Sequence, residues 1–334
     1  MKRLRVILIG LGHDHATSIY DSLLRQTELF EVVGFAVPES ELIDFPEKVA
    51  KYREQLPLYT VEEILALPDV DGAAIETEEV NLTYYAQLAA QRGLHIHMDK
   101  PGGLDLAAFD RLIDTVKQHG TAFTTGYMYR FNPKIREALQ KIQNGDLGEI
   151  YAVEAHMDCE HPVAKREWLG RFPGGMMFFL GCHLVDLIYR LQGEPLEVLP
   201  LNCSTGVNAD DYGMAVFRYP HGVSFAKTCS NEPGGFVRRQ LVICGSKGTI
   251  EIKPLESYTS GPHDHRDSYT VMRETYADEG WNTFGVTSES ELFSRYDDMM
   301  RHFAEVANGK ENPYSYEYER AVYRLLLKAC GKEV

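Results

Sequence analysis

The first 125 residues alternate short apolar runs with amphipathic ones, and the first apolar run breaks into a pair of glycines. That order fits an open parallel sheet with helices on both faces. Strands are expected at 4–9, 31–37, 70–75, 95–98 and 122–125. Helices are expected at about 16–26, 61–67, 82–92 and 106–119, with Gly93 and Gly120 stopping the last two. After the first strand comes Gly10-Leu11-Gly12-His13-Asp14-His15-Ala16. Gly10 allows a tight turn, and Gly12 lets backbone N–H groups approach a pyrophosphate at a helix N-terminus. The third glycine of G-x-G-x-x-G is replaced by His15. Asp14 would repel a phosphate, a charge that His13 and His15 offset; the other reading is a phosphate-free turn capped by Asp14.

An acid at the end of the second strand would hold ribose hydroxyls. Val37 stands there and Glu39 follows two residues later, with no arginine beside it. The cofactor reading is therefore NAD or NADP, leaning to NAD through Glu39. The run at 95–98 ends in Asp99-Lys100-Pro101. At the carboxyl end of a parallel strand, where such sheets bind ligands, Lys100 is an amine able to move a proton. Asp99 is placed to steer it, and the proline keeps Lys100 out of the helical region.

Beyond Gly126 the texture changes to long β-type runs with few helices, as expected of a largely antiparallel sheet packed by helices on one face. The expected division is a dinucleotide-binding domain, 1–125, and an α+β substrate and oligomerisation domain, 126–334. Helices are expected at 133–143, after Gly174-Gly175, at 289–307 and at 316–329, with a surface loop region at 254–282. A single helix after Gly175 puts Phe179 and His183 on one face and Asp186 one turn beyond. His183 is a suitable general base for an alcohol, with Asp186 orienting its imidazole. His156, Asp158, Cys159 and His161 match no zinc spacing, and no metal is expected.

With a formal charge of −15, the chain is a poor match for nucleic acid or an anionic membrane surface. Its six cysteines form no Cys-x-x-Cys pair and suit buried free thiols in a reducing compartment. No apolar stretch approaches the ~20 residues that span a bilayer. The expected setting is the cytoplasm.

These residues together resemble the glucose–fructose oxidoreductase, inositol dehydrogenase and MocA family over nearly the whole chain. The matches are the glycine turn, Asp99-Lys100-Pro101 for the family's Glu-Lys-Pro, the stretch from Gly126 to Pro133, the stretch from Gly145 to Ile150, and Gly174-Gly175 leading to His183. The resemblance implies a Rossmann domain, a C-terminal α+β domain and reversible hydride transfer between nicotinamide and a sugar or cyclitol hydroxyl. It further implies that Lys100 and His183 carry the proton work and that Thr77 and Asp99 lie at the cofactor. Tyr127, Arg130, Glu154, His156, Trp168 and Phe179 are the expected substrate contacts, and a homodimer or homotetramer the expected assembly.

Three positions depart from the family. Thr77-Glu78-Glu79 and Leu82 replace Thr-Pro-Asn and a histidine, the ribose acid is displaced, and Phe179 stands where an aspartate usually precedes the histidine by four. Phe179 implies poor oxidation of inositol and a ligand with a less hydroxylated edge. The alternatives are a regulatory protein that binds nucleotide or sugar without turnover, and an NAD-dependent glycoside hydrolase.

Overall fold

The computed structural model describes residues 1–259 and 266–334. The chain begins β1 (Leu4–Ile9), α1 (Ala16–Arg25), β2 (Phe30–Ala36), α2 (Glu39–Asp44), α3 (Pro46–Arg53), β3 (Leu58–Tyr59) and α4 (Val61–Leu65). It continues β4 (Gly72–Ile75), α5 (Leu82–Gln91), β5 (His95–Met98), α6 (Leu106–His119), β6 (Phe123–Thr125), α7 (Pro133–Gln143) and β7 (Ile150–His156). Then come α8 (Val163–Trp168), α9 (Met176–Phe179), α10 (Cys182–Gln192), β8 (Glu197–Pro200), β9 (Tyr212–Arg218) and β10 (Val223–Cys229). The remainder is β11 (Gln240–Gly245), β12 (Gly248–Ile252), β13 (Ser257–Tyr258), β14 (Ser268–Tyr269), β15 (Val271–Tyr276), β16 (Val286–Glu289), α11 (Asp297–Ala307) and α12 (Tyr316–Ala329).

Two compact units result. The first holds Met1–Tyr127 and Tyr296–Tyr323; the second holds Met128–Arg295 and Arg324–Val334. In the first, six strands pair in the order β3-β2-β1-β4-β5-β6, every pair parallel. The apolar run of β1 is buried from Val6 to Ile9 because helices cover both faces. The strand order reverses between β1 and β4, so the loops after these two strands flank the crevice where open α/β sheets bind ligands. Gly120 ends α6 in the left-handed conformation, as its sequence position predicts.

The expected boundary at 125/126 misses the tail, which returns to the first unit. In α11 the buried face is Met299, Met300, Phe303 and Ala304, and Phe303 stacks on Phe30 with ring centroids 6.3 Å apart. Tyr323 donates its hydroxyl to the Gly103 carbonyl at 2.8 Å. An amphipathic helix declares that it needs an apolar surface but not which sheet supplies it. Two-residue β3 and the short helices α2 and α3 also escape sequence reading, because so few residues carry no period.

The second unit has an eight-stranded sheet in the order β16-β15-β12-β11-β7-β10-β9-β8. Only β7 with β10 is a parallel pair; the other neighbours are antiparallel. Two expectations are corrected here. The stretch expected as a loop at 254–282 contains β13, β14 and β15, its residues 260–265 lying outside the described ones. The helix expected from residue 289 begins only at Asp297, since Val286–Glu289 is the edge strand β16. Cys159, Cys182, Cys229 and Cys330 are buried free thiols as expected, but Cys203 is exposed.

Candidate active site

Gly10 leaves β1 with φ +94°, and a Cβ there would stand 2.5 Å from the Thr77 backbone nitrogen. Thr77 is wholly buried against this glycine, so the loops after β1 and β4 touch only because Gly10 has no side chain. Beyond it, the Leu11 and Gly12 N–H groups both donate to one oxygen of Glu41 at 2.8 Å, and the Glu78 N–H donates to the other at 2.8 Å. Three backbone donors from two loops thus converge on an anion, the arrangement a glycine turn offers to phosphate. Burial raises the Glu41 carboxyl more than these donors lower it. Glu39, the expected ribose acid, is exposed; the buried acid at the turn is Glu41. The missed signal was its spacing, five residues past the last residue of β2, reached through α2. The residues present fit a dinucleotide: a turn without side chains, donors that hold an anion, and a cleft of about 1030 Å³ lined by Val37, Pro38, Glu39, Tyr59, Tyr84 and Arg92.

A Cβ on Gly12 would fall 2.7 Å from both the Glu41 carboxyl and the Glu78 nitrogen. Gly12→Val should therefore displace Glu41 and deform the turn, lowering NADH affinity at least about tenfold while overpacking costs only ~1–3 kcal/mol of stability. Fluorescence titration with an unfolding curve tests this, and unchanged affinity would remove the turn from the cofactor site.

His13 does not face outward as a phosphate partner. It is fully buried, its Nε2 3.0 Å from the Lys100 carbonyl and its Nδ1 3.1 Å from Asp99 Oδ2. His15 Nδ1 lies 3.1 Å from the same oxygen, and its side chain is 12% exposed. His15, not Asp14, occupies the N-cap position of α1. Burial depresses an imidazole; at His13 the carboxylates of Asp99 and Glu79 outweigh it and raise the value, whereas at His15 burial wins and the value falls to about 4. Burial would raise the Asp99 carboxyl, yet the two histidines hold it well below the usual range. Glu76, just past β4, is pushed far up by burial and then by Asp99. Within this pair the Asp99 carboxyl is held down and the Glu76 carboxyl is pushed up. Nothing in the chain singles out Glu76, because a polar residue at a strand end reads as a loop. Lys100 is 1% exposed, and its backbone is fixed on both sides: its N–H donates to Asp99 Oδ1 at 2.7 Å and its carbonyl meets His13. Tyr127 is buried just beyond β6.

In the second unit the helix expected after Gly175 is two helices, α9 and α10, parted at Leu180-Gly181. A Cβ on Gly181 would stand 2.5 Å from Met177 Sδ, so the chain turns tightly there. Phe179 and His183 consequently do not share a helix face. His183 is buried on the first turn of α10 with its ring edge-on to Tyr129, centroids 5.1 Å apart. Tyr129 donates to Glu256, which also accepts from Arg239 at 2.7 Å and Arg295 at 2.6 Å. Burial, then the Glu256 charge, pushes the Tyr129 phenol up, while the two arginines hold Glu256 down against its own burial. Asp186, expected to orient His183, forms a buried ion pair with Arg130: Nε to its two oxygens at 3.1 and 3.0 Å, Nη2 at 2.7 Å. Arg130, expected at the substrate, is thus engaged with Asp186.

Phe179 joins Trp168, Phe172 and His161, the Trp168 centroid 5.4 Å away and Phe172 stacked at 6.2 Å. Lys165 Nζ sits 3.7 Å above the Trp168 ring. Trp168 and Phe179 are thus brought together, with Lys165 and Phe172 as members the sequence did not suggest. Glu154 and His156 go elsewhere. Along β7, Val153 and Ala155 are buried and Glu154 and His156 half-buried. Ala155 pairs with Ala226 of β10, one step of two from Ser224, whose hydroxyl bonds Gln192 of α10. That is the face α10 covers. Glu154 pairs with Phe225 and His156 with Lys227 on the opposite face, away from the helix that carries His183.

Residues 4–127 match the family described as an oxidoreductase family with an NAD-binding Rossmann fold, and residues 135–251 match a GFO/IDH/MocA C-terminal domain. An uncharacterized oxidoreductase, YhhX, of Escherichia coli is 33% identical over 156 residues, 45% of either chain. The trans-1,2-dihydrobenzene-1,2-diol dehydrogenase of Bos taurus is 24% identical over 74% of this chain and 75% of its own. Among solved structures, an aldose-aldose oxidoreductase from Caulobacter crescentus complexed with glycerol superimposes with a TM-score of 0.77. It is 20% identical and covers 100% of this chain and 99% of that one.

Proposed function

Because the chain belongs to the GFO/IDH/MocA oxidoreductase family, we propose that it moves a hydride reversibly between NAD and a hydroxyl-bearing carbon of a sugar-like or cyclitol-like ring. The observation that carries the reading lies within the first unit: the anion-holding glycine turn and the buried Lys100 are joined through His13. Gly10, Gly12 and Thr77 would hold the dinucleotide, whose nicotinamide supplies the hydride acceptor. Lys100 stabilises the developing alkoxide, and His183 takes the hydroxyl proton. Tyr129, fixed by Glu256, positions the imidazole. NAD is favoured over NADP because Glu39, Glu62 and Glu63 line the cleft beside β2, against Arg92; a 2′-phosphate would be repelled by these carboxylates.

Phe179, Trp168 and Phe172 supply an apolar wall, so the ring acted on carries a less hydroxylated edge. A relative named for a dihydrobenzenediol supports that choice. The working assembly is a homodimer or homotetramer in the cytoplasm; exposed Leu199 and Val223 on β8 and β10 support self-association. Among the described residues no helix is long and apolar enough to cross a membrane.

The test is a panel of cyclic diols, polyols and keto-sugars read by NADH and NADPH absorbance. A trans-dihydrobenzenediol should be turned over well ahead of myo-inositol, with NADH bound more tightly than NADPH. Efficient inositol oxidation would sink the apolar-wall argument. No turnover on the whole panel, with NADH still bound, would point to a sensor instead.

A further inference from the structure

Three polar side chains of the first unit meet where no step of the proposed reaction uses them. His13 Nδ1 and His15 Nδ1 each lie 3.1 Å from Asp99 Oδ2, and the three ligating atoms fall within 4.8 Å of one another. We propose that His13, His15 and Asp99 form a three-ligand site for a divalent first-row transition ion such as Zn²⁺, clasping the glycine turn to the strand end that carries Lys100.

The local geometry supports it. The two 3.1 Å edges to Asp99 approach the ~3.4 Å ligand separation of a tetrahedral ion with bonds of about 2.0–2.1 Å, and the edge between the histidines, within 4.8 Å, would close as the ion binds. Two electron-rich atoms such as His13 Nδ1 and Asp99 Oδ2 hold this distance only with a positive charge between them, a proton or a metal ion. The His15 backbone N–H also lies 3.1 Å from His13 Nδ1, a hydrogen bond that the ion would displace on taking that lone pair. The outer atoms of the ligands are already tied. His13 Nε2 donates to the Lys100 carbonyl at 3.0 Å, and Asp99 Oδ1 accepts from the Lys100 N–H at 2.7 Å. Metal-binding histidines and carboxylates are oriented by such second bonds.

The surroundings are short of positive charge and of donors. Glu76 and Glu79 are buried around the same atoms, with Lys100 as the facing cation. Glu76 interacts with Asp99, and His97 Nε2 lies 3.9 Å from Glu76 Oε1, both residues wholly buried. Two imidazoles and a carboxylate suit a borderline ion better than Mg²⁺ or Ca²⁺, which favour all-oxygen sites. The partial exposure of His15 gives the ion a way in.

The site does not depend on the dinucleotide reading, and the experiment needs no cofactor or turnover. The full chain, free of any polyhistidine tag, is stripped with a chelator, dialysed against Zn²⁺ or Co²⁺, and its metal counted by mass spectrometry. One equivalent should remain per chain, and the Co²⁺ form should show visible d–d bands of low-symmetry nitrogen and oxygen coordination. His15→Gln should weaken Co²⁺ binding by about 10–100-fold or more, and lose the rise in Tm that Zn²⁺ gives the parent protein. His221→Gln, at an exposed histidine outside the cluster, should change neither. Failure of the parent protein to retain stoichiometric metal would overturn the site, as would His15→Gln binding Co²⁺ like the parent. A separate NADH titration of the metal-free protein keeps failure of this site distinguishable from failure of the cofactor assignment.

Discussion

Lys100→Ala should lower kcat about 10²–10⁴-fold on any true substrate, the usual contribution of a positioned acid or base, while NADH affinity changes only a few-fold. The size of the effect follows from how the residue is held. Its N–H is bonded to Asp99 and its carbonyl to His13, so the stem of the side chain starts from a fixed backbone inside a buried cluster. An ammonium placed that way needs no reorganisation when charge develops on the substrate oxygen. Lys100→Met preserves most of the buried volume and removes only the charge. It should show the same loss of kcat with a Tm closer to the parent, which separates chemistry from packing. Wild-type kcat in either variant would make Lys100 a structural residue.

Asp186→Ala should cost about 3–5 kcal/mol of stability, because it strands the Arg130 guanidinium in the interior. Both side chains of that pair are almost inaccessible, at 2% and 1%. For a unit of this size the loss corresponds to a fall in Tm of roughly 10 °C. Replacing both partners together, Arg130→Met with Asp186→Leu, should restore most of the stability, since an apolar pair of similar volume is often as good as a buried ion pair. The same double variant decides what Asp186 does. If it only anchors Arg130, turnover returns with stability. Should the double variant fold well yet stay inactive, Asp186 supports His183 as its position three residues along α10 first suggested.

The contrast between Lys100 and Asp186 shows what can be read from a chain. Lys100 was legible because its neighbours are local: an apolar strand, an acid, a proline and a fixed place at the end of a parallel strand. Gly10 and Gly12 were legible for the same reason, since a turn that admits no side chain writes itself in consecutive residues. The ion pair of Asp186 was not legible because its partner, Arg130, is 56 residues away. Helical spacing names the residue one turn off but not one arriving from elsewhere. The expected shared face of Phe179 and His183 failed through a local detail, the break at Leu180-Gly181 that a run of apolar residues conceals.

Periodicity and turn chemistry thus determined the parallel sheet, its ligand-binding crevice, the antiparallel second sheet and the placing of Lys100 at a strand end. The sequence alone carried these because each depends on residues within a few positions of one another. Tertiary structure decided the rest. It chose Glu41 over Glu39 at the glycine turn, turned His13 inward to Asp99, sent Glu154 and His156 to the sheet face away from α10, and returned α11 to the first unit. Each of those outcomes depends on which distant surface buries a side chain or satisfies its charge, and burial and electrostatic pairing are properties of the folded chain as a whole.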